Sequence, residues 1–308
     1  MQKRKAFACT LLALAMLVIL LFPAGAAGNK DRVYQMLTTR GLNTAAACGI
    51  MANMEKESSF KPTATSPGGS YGLCQWTGSR KTDLKNYCSK NGLDVSTVDA
   101  QVEFLLYELQ TSYKSVYKML KNTDCSVDGA YNAAYRFCYD FERPANKSSR
   151  SAERANCAKN SYWPQYKQYA SLNGIVKGPD ARWAMYKDGA LQTGYSGIAK
   201  NQHGWWRVVK GYVDFSANGI YKNQYGWWKC TNGKVTFKET GIFSNDYGTW
   251  YVENSKVDFS KTDVVEFDGT VYNVEGGKAT VVPPGTTVAQ STTASESTTS
   301  ASPSAAQN

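Results

Sequence analysis

Histidine is almost missing from this chain of 308 residues, which holds His203 alone. Cysteine peptidases need an imidazole beside the thiol, serine hydrolases need one beside the hydroxyl, and zinc amidases usually need two or more. The G-x-S-x-G, Walker A and dinucleotide-binding fingerprints are missing too. We therefore predict neither a metal centre nor a cofactor, and carboxylates remain as the groups able to do chemistry.

Long hydrophobic runs are also scarce, and the first one predicts export. Three basic residues precede an apolar run over residues 6–22, and Ala24-Gly25-Ala26 follows as a small-x-small cleavage pattern. Residues 1–26 are predicted to be a signal peptide, since the run is short for an uncleaved membrane anchor. Residues 283–308 are Ser/Thr/Ala/Pro-rich and predicted to be disordered, without a sorting pattern. We expect a secreted or cell-wall-associated protein with no stable membrane anchor.

Cysteines of an exported chain tend to be paired, so we expect disulfides. Six lie within residues 29–170, where no C-x-x-C spacing or histidine favours the alternative of a zinc site. Their pairing cannot be deduced from the sequence. Cys230 stands apart at the position that Val208 and Val252 hold in a repeat, and is predicted to be a small buried hydrophobe.

Positive charge is concentrated in the first half of the chain. Lys and Arg minus Asp and Glu gives 19 − 13 = +6 for residues 27–170, and 13 − 12 = +1 for residues 171–308. A basic exported domain suits a polyanionic surface such as a teichoic-acid-bearing wall, nucleic acid or acidic lipid. Charge alone does not choose among these three.

Two different sequence patterns follow the predicted signal peptide. Residues 29–170 show helical periodicity with one hairpin around residues 63–76, which predicts a helix-dominated α+β domain. Residues 171–182 resemble a linker. Residues 183–282 then repeat with Trp183, Trp206, Trp228, Trp250 and Tyr272 in register, and short alternating runs separated by Asn and Gly predict strands. Units this small must stack, so we expect an all-β solenoid or hairpin array.

The candidate acid lies in the stretch MEKESSFKPTATSPGGSYGLCQW. On a helix turning about 100° per residue, Glu57 continues the apolar face of Ala46 and Ile50, whereas Glu55 points roughly 160° away. A carboxyl against apolar packing can hold a proton for donation to a glycosidic oxygen, so Glu57 is the predicted general acid. We interpret Glu55, Glu103 and Glu108 as surface acids. Glycosidases need a second carboxylate, for which the candidates are Asp83, Asp99, Asp140 and Glu142.

Three motifs support this interpretation. The stretches GIMANMEKESSFKPTA, GGSYGLCQWTGSR and AQVEFLLYEL resemble the phage tail-type lysozyme domain, within the lysozyme and lytic transglycosylase class. The resemblance covers about residues 40–170, including FERP and the following Arg-containing helix. It implies Glu57 as catalytic acid, with Tyr71, Gln75 and Trp76 lining a glycan groove. Cys74 is expected to hold this loop through a disulfide.

The aromatic repeats resemble choline-binding or glucan-binding cell-wall repeats. That resemblance implies cages for a quaternary ammonium group or platforms for sugars. The implied wall-ligand residues are Trp205, Trp206, Trp227, Trp228, Trp250 and Tyr251. The period is slightly long and Thr249 replaces the first Trp of one pair, so the ligand stays open among teichoic acid, choline and glucan.

Together these observations predict a secreted peptidoglycan hydrolase that cleaves the MurNAc-GlcNAc β-1,4 bond of glycan strands. A lytic transglycosylase acting at the same bond is one alternative. A non-catalytic adhesin that only binds the wall is another. Export and the wall-type repeats disfavour a nucleic-acid binder.

Overall fold

The computed structural model describes residues 28–286, so the predicted signal peptide and most of the predicted tail lie outside it. The first part is helical and contains the predicted hairpin. Its helices are α1 Asn29–Thr39, α2 Thr44–Ser58, α3 Gly78–Lys90, α4 Val98–Thr111, α5 Lys114–Lys121, α6 Val127–Phe137, α7 Lys147–Cys157 and α8 Trp163–Tyr166. Two π-helical turns, Cys138–Glu142 and Ala158–Tyr162, extend α6 and α7, and a 3-10 turn, Lys167–Tyr169, ends the domain.

Helix α2 is the centre of this domain, buried along most of its length. It starts where the side chain of Asn43 accepts from the Ala46 amide at 2.9 Å, and it ends before Ser59, whose φ of 51° is left-handed. Gly49 lets α6 approach closely, because a Cβ there would lie 2.6 Å from the Ala134 nitrogen. The last turn of α2 is therefore held against the core rather than left in solvent.

The predicted hairpin is confirmed as a compact loop rather than a long ribbon. Tyr71 makes isolated antiparallel bridges to Thr65 and to Trp76. Ser58 at the end of α2 donates to the Leu73 carbonyl at 3.0 Å, which ties the loop to the helix. Gln101 on α4 accepts from the Leu73 amide at 2.8 Å, so a second helix fixes the loop from the other side.

The predicted disulfides are not present: all seven cysteines within residues 28–286 are free thiols. Four of them, Cys48, Cys74, Cys88 and Cys138, are buried in the core of the helical domain. Cys157 contacts Glu55 at 3.2 Å, and Cys125 contacts the Ala170 carbonyl at 3.7 Å. These thiols behave as small hydrophobes and weak donors, and the core of this domain is closed by apolar packing.

The second part is all β, as predicted, and consists of antiparallel hairpins in open sheets. Its strands are β1 Gly174–Lys177, β2 Trp183–Lys187, β3 Ala190–Leu191, β4 Gly197–Asn201, β5 Gly204–Val209, β6 Tyr212–Val213, β7 Gly219–Asn223, β8 Gly226–Cys230, β9 Lys234–Val235, β10 Gly241–Asn245, β11 Gly248–Glu253, β12 Lys256–Val257, β13 Asp263–Phe267, β14 Thr270–Glu275 and β15 Lys278–Val281.

These strands form two sheets. One runs in the order β1-β2-β6-β5-β4, with β3 on β2 and β9 on β5, and the other in the order β13-β14-β15-β11-β12-β8-β7, with β10 on β11. Cys230 is fully buried there, which confirms its prediction as a core hydrophobe. The segment predicted as a linker contains β1, whose Ile175 is 2% exposed and holds the place that Ile198 holds in the next unit.

A side-chain motif recurs in three hairpins of the array. The Oδ1 atoms of Asn201, Asn223 and Asn245 accept from the indole nitrogens of Trp206, Trp228 and Trp250 at 2.9–3.0 Å. The same oxygens accept a backbone N–H two residues later, at 2.9 Å each time. Each Asn therefore closes its turn and orients one tryptophan, which explains the Asn-x-x-Gly signature in the sequence. No helix within residues 28–286 combines the length and apolar character needed to cross a bilayer.

Candidate functional site

Glu57 lies in the last turn of α2, and its side chain is 19% exposed. Arg154 on α7 reaches it across the core and donates from Nη2 to Glu57 Oε1 at 2.5 Å. The other terminal nitrogen of Arg154 donates to Asn53 Oδ1 at 3.1 Å. Asn53 in turn donates to the carbonyls of Gly49 and Ala134 at 2.9 and 3.1 Å. Glu57 is thus held by an ion pair whose cation is fixed from behind.

A second carboxyl lies close enough to Glu57 to feel its charge. Glu142 ends the π-helical turn that follows α6, and its Oε1 is buried with no hydrogen-bond partner within residues 28–286. Burial first, and the charge of Glu57 second, raise the pKa of Glu142 from 4.5 to about 8, against the opposing effect of Arg80 and Arg154. We call Glu57 and Glu142 the carboxyl pair, because the charge of Glu57 acts on Glu142.

The four candidates for the second carboxylate differ in their surroundings. Asp99 forms an ion pair with Arg32 on α1, and Asp140 forms one with Arg136 at 2.7 Å. Asp83 lines a cavity beside α3. Glu142 is the candidate whose pKa responds to Glu57.

The two carboxyls of this pair have different surroundings. The guanidinium of Arg154 contacts Glu57, whereas burial and the charge of Glu57 raise the pKa of Glu142. Helical phase located Glu57 at the edge of the core. It could not reveal a cation 97 positions later in the chain.

Trp76 is a core residue, which corrects its predicted place in a sugar groove. Its ring is 1% exposed and packs edge-on against Phe104 at 5.6 Å, so it offers no face to a sugar. Tyr71 is half-buried in the hairpin. The amide nitrogen of Gln75 donates back to the carbonyls of Gly72 and Ala64 at 3.0 and 3.3 Å.

Three acids that we interpreted as surface residues make contacts within the domain instead. Glu108 is 6% exposed, accepts from Trp76 Nε1 at 3.0 Å, and binds Arg80 through two nitrogens at 2.5 and 2.9 Å. Glu55 is half-buried and accepts from the Cys157 thiol. Glu103 lies beside Arg40 with 15% of its side chain exposed. Buried carboxylates need such partners, and the sequence does not show them.

Arg80 also lines a large cleft. Arg80 packs over Phe141 and Tyr113, with its guanidinium carbon 4.4 and 5.2 Å from the ring centroids, and its charge acts on Glu142. From Arg80 a cavity of about 1210 Å³ extends along α3, α4 and α5. Its aromatic side chains are Tyr87, Phe104, Tyr107 and Tyr113, and its basic side chains are Arg80, Lys90, Arg136 and Arg143. The sequence motifs did not point to these helices as a binding surface.

The repeats carry three equivalent ring clusters. The first cluster contains Trp183, His203, Trp206 and Phe215, the second contains Trp205, Tyr225, Trp228 and Phe237, and the third contains Trp227, Tyr247, Trp250 and Phe259. Corresponding members are 22 residues apart. Adjacent tryptophans, such as Trp205 and Trp206, therefore belong to different clusters.

The predicted wall-ligand residues fall into these clusters with one exception. Trp205, Trp206, Trp227, Trp228 and Trp250 are all cluster members, and each is at least half-buried. Tyr251 lies outside the three clusters, packs near Ile242, and has the Lys261 ammonium 5.3 Å from its ring centroid. The exposed rings that the prediction missed are Phe215, Tyr225, Phe237, Tyr247 and Phe259.

Comparisons with known proteins divide the chain at the same place. Residues 28–163 match the family model described as phage tail lysozyme. Residues 194–214, 216–236 and 238–258 match that of the choline-binding repeat. The chain is 30% identical over 146 residues to "Morphogenesis protein 1" of Bacillus phage B103. That similarity covers 44% of this chain and 38% of the phage protein, so the chain spans well under half of its relative.

The chain therefore carries a phage tail lysozyme domain followed by choline-binding repeats. The first is a lysozyme-like domain of the type that degrades peptidoglycan, and the second is a cell-wall-binding array.

Proposed function

We propose that this chain is a secreted glycosidase that hydrolyses the MurNAc-GlcNAc β-1,4 bond of peptidoglycan, with Glu57 as the acid at the scissile bond. The observation that carries the proposal is the carboxyl pair itself: Glu57 forms an ion pair with Arg154, and its charge and that of Arg80 act on the buried carboxyl of Glu142. Glycoside hydrolysis uses two carboxyl groups in different protonation states. A lysozyme-type domain supplies the substrate class.

In this proposal the two carboxyls share one proton during the reaction. Glu142 holds the proton in the free enzyme, because its carboxyl is the more buried. Glu57 is the partly exposed member that can contact a sugar, so it receives the proton and passes it to the glycosidic oxygen. The C1–O bond breaks, water adds hydroxyl to C1, and the remaining proton of the water returns to the pair. Arg154 and Arg80 offset the two negative charges that exist between these steps.

The second carboxyl favours hydrolysis over transglycosylation. A transglycosylase can rely on the substrate's own N-acetyl group, so it needs only one carboxyl. Hydrolysis gives reducing ends, whereas transglycosylation gives anhydro ends. Mass spectrometry of the muropeptides released by the full chain distinguishes the two reactions.

The decisive variant is Glu57→Gln, which keeps the shape of the side chain and removes its proton transfer. Loss of general acid catalysis typically costs about 10² to 10⁴-fold in rate, and we expect a loss of at least this size in the clearing of cell-wall suspensions. Glu153→Gln is the matched control, because Glu153 is also ion-paired, with Lys56 at 3.0 Å, but lies 47% exposed on α7. Unchanged clearing by Glu57→Gln would refute Glu57 as the acid, whereas wall binding without clearing by the unaltered chain would leave only the adhesin alternative.

The repeats are proposed to retain the enzyme at walls that carry choline or another teichoic acid substituent. Aromatic side chains bind quaternary ammonium groups through their π faces, and the three ring clusters supply those faces. Elution of the full chain from choline-bearing walls by free choline tests this part. Elution by glucan alone would assign the array to sugars instead.

A further inference from the structure

The turn that carries Glu142 ends on an arginine in an uncommon backbone conformation. Arg143 has a φ of 54° and a ψ of 49°, in the left-handed region, and its N–H donates to the Cys138 carbonyl at 2.9 Å. Residues other than glycine seldom adopt this conformation, and a residue before a proline, here Pro144, is normally extended. A glycine would close the same turn with less strain. The turn alone therefore does not account for an arginine at this position.

The side chain of Arg143 is exposed and lines the cleft along α3, α4 and α5. Its Nε donates to the Asp140 carbonyl at 2.7 Å, and its guanidinium carbon lies 5.7 Å from the ring centroid of Tyr113. These two contacts hold the guanidinium but leave both terminal nitrogens without a hydrogen bond to any residue within 28–286. The two nitrogens form a planar fork, which matches the two oxygens of a carboxylate.

The other cations of the cleft are less suited to bind an anion. Arg80 already donates to both oxygens of Glu108, at 2.5 and 2.9 Å, and Arg136 is paired at 2.7 Å with the acid four positions after it. Lys90 is exposed, and its ammonium is a point charge on a flexible side chain. Among the described residues of the cleft lining, Arg143 is thus the arginine that is oriented by its neighbours and has no carboxylate partner.

The position of Arg143 in the chain relates it to the proposed reaction. It directly follows Glu142, the buried member of the carboxyl pair, so the two Cα atoms are about 3.8 Å apart. The bond that breaks in that reaction is at C1 of MurNAc, and the lactyl group of the same sugar carries the peptide stem. The carboxylates of the stem are therefore anions that accompany the scissile bond into the site.

We propose that Arg143 forms a subsite for a carboxylate of the peptide stem, so that the enzyme binds stem-bearing glycan strands in preference to bare ones. This inference rests on the proposed glycosidase function. It adds recognition of a part of the substrate that takes no part in bond cleavage. A phosphodiester of teichoic acid is the competing anion, and the planar fork together with the peptidoglycan substrate of this domain favours the carboxylate.

The test compares Arg143→Gly with the unaltered full chain on two substrates free of teichoic acid, namely glycan strands with their peptide stems and the same strands after an amidase has removed the stems. Release of reducing ends gives KM and kcat. On stem-bearing strands KM should rise roughly tenfold, the lower end of what a hydrogen bond to a charged group contributes, whereas KM on bare strands and both kcat values should stay unchanged. Arg150→Gln is the control, because it also removes one positive charge, but Arg150 is 59% exposed on α7 and lies outside the cleft lining.

Two further measurements separate this role from a structural one. Arg143→Gly should unfold at the same temperature as the unaltered chain or higher, since glycine suits a left-handed cap. Arg143→Gln, which keeps the strain and removes the charge, should show the same selective rise in KM. An unchanged KM with a lower unfolding temperature would assign the arginine to the turn. An equal rise on both strands, or a loss confined to walls that bear teichoic acid, would also overturn the inference. If the unaltered chain cleaved neither strand, the proposed function itself would be refuted.

Discussion

At the scale of single residues, the site depends on which carboxyl is buried and which is paired. Helical phase predicted Glu57, at the end of the apolar face of α2, as the acid, and its partly exposed carboxyl lies beside Arg154. Glu142 could only be one of four candidates, because its closeness to Glu57 arises from the packing of α6 on α2. Sequence periodicity reports which face of a helix is apolar, but not which distant charge meets it.

Glu142 should make the stability of the fold depend on pH. Its pKa is about 8 in the folded chain and 4.5 when exposed, so the folded state binds this proton more tightly than the unfolded state. The free energy of unfolding should then fall as pH rises from about 4.5 to about 8, with a slope of at most about 1.4 kcal/mol per pH unit. Urea unfolding of Glu142→Gln should show a flatter profile over that interval.

Glu153→Gln is the control for this measurement. Glu153 is exposed, and its hydrogen bond to Lys56 lowers its pKa, so it stays ionised above pH 4.5 in both states. This control should keep the slope of the unaltered protein. An equal slope in Glu142→Gln would show that another group binds the proton.

At the scale of elements, the hairpin beside Glu57 is fixed by one amide from α4. Gln101 is fully buried, accepts from the Leu73 amide, and donates to the carbonyls of Pro62 and Val95 at 2.6 and 2.7 Å. The helix that carries it was evident in the sequence, as were the hairpin and the all-β character of the repeats. The contact itself was not, because it joins residues 28 positions apart whose local patterns are independent.

The close approach of this amide requires a glycine in the hairpin. A Cβ at Gly72 would lie 2.4 Å from the carbonyl oxygen of the Gln101 side chain. Gly69, three residues earlier, has the same φ of +80° but nothing within 4 Å of its Cβ position. Both Gly→Ala variants carry the backbone strain of a positive φ, and only Gly72→Ala adds the clash.

We therefore expect Gly72→Ala to be less stable than Gly69→Ala by about 1 to 3 kcal/mol, the usual cost of overpacking a core. Thermal or urea unfolding of the two variants measures the difference. Because Leu73 and Cys74 link the hairpin to α2 and to Glu142, Gly72→Ala should also lose wall-clearing activity. Equal stability of the two variants would mean that Gln101 can move away without loss.

The cleft along α3, α4 and α5 suits a sugar chain, and Tyr107 is its most exposed ring, at 49%. Its centroid lies 4.9 Å from that of Tyr87, so the two rings form one platform. Aromatic contacts contribute about 0.5 to 1.5 kcal/mol, so Tyr107→Ala should raise KM by about 3 to 10-fold and leave kcat unchanged. Tyr139→Ala is the control, since Tyr139 is 38% exposed and absent from the cleft lining. An unchanged KM would place the glycan on another surface.

At the scale of the whole molecule, the lysozyme-like domain is basic and the repeats are nearly neutral. Residues 27–170 carry a net charge of +6 and residues 171–308 carry +1. Attraction between this domain and anionic wall polymers should weaken with salt, since the screening length falls from about 10 Å at 0.1 M to about 3 Å at 1 M. Binding of choline by neutral rings should weaken far less.

We expect high salt to reduce the clearing of teichoic-acid-bearing walls more than the clearing of walls stripped of these polymers. Turbidity assays on both preparations at 0.1 and 1 M NaCl measure this difference. An equal loss on the two walls would place the salt effect on the enzyme itself.

The offset pairing of adjacent tryptophans has a consequence for the length of the array. Each ring cluster contains one tryptophan from one 22-residue unit and its remaining rings from the next unit. No single unit therefore contains a complete cluster. A duplication or deletion of one unit during evolution would add or remove one cluster and leave the others intact. In the third pair Thr249 takes the place of the first tryptophan, so this unit supplies no indole to a further cluster. Related chains can therefore vary the number of ring clusters through unit number alone, without any change to the unit.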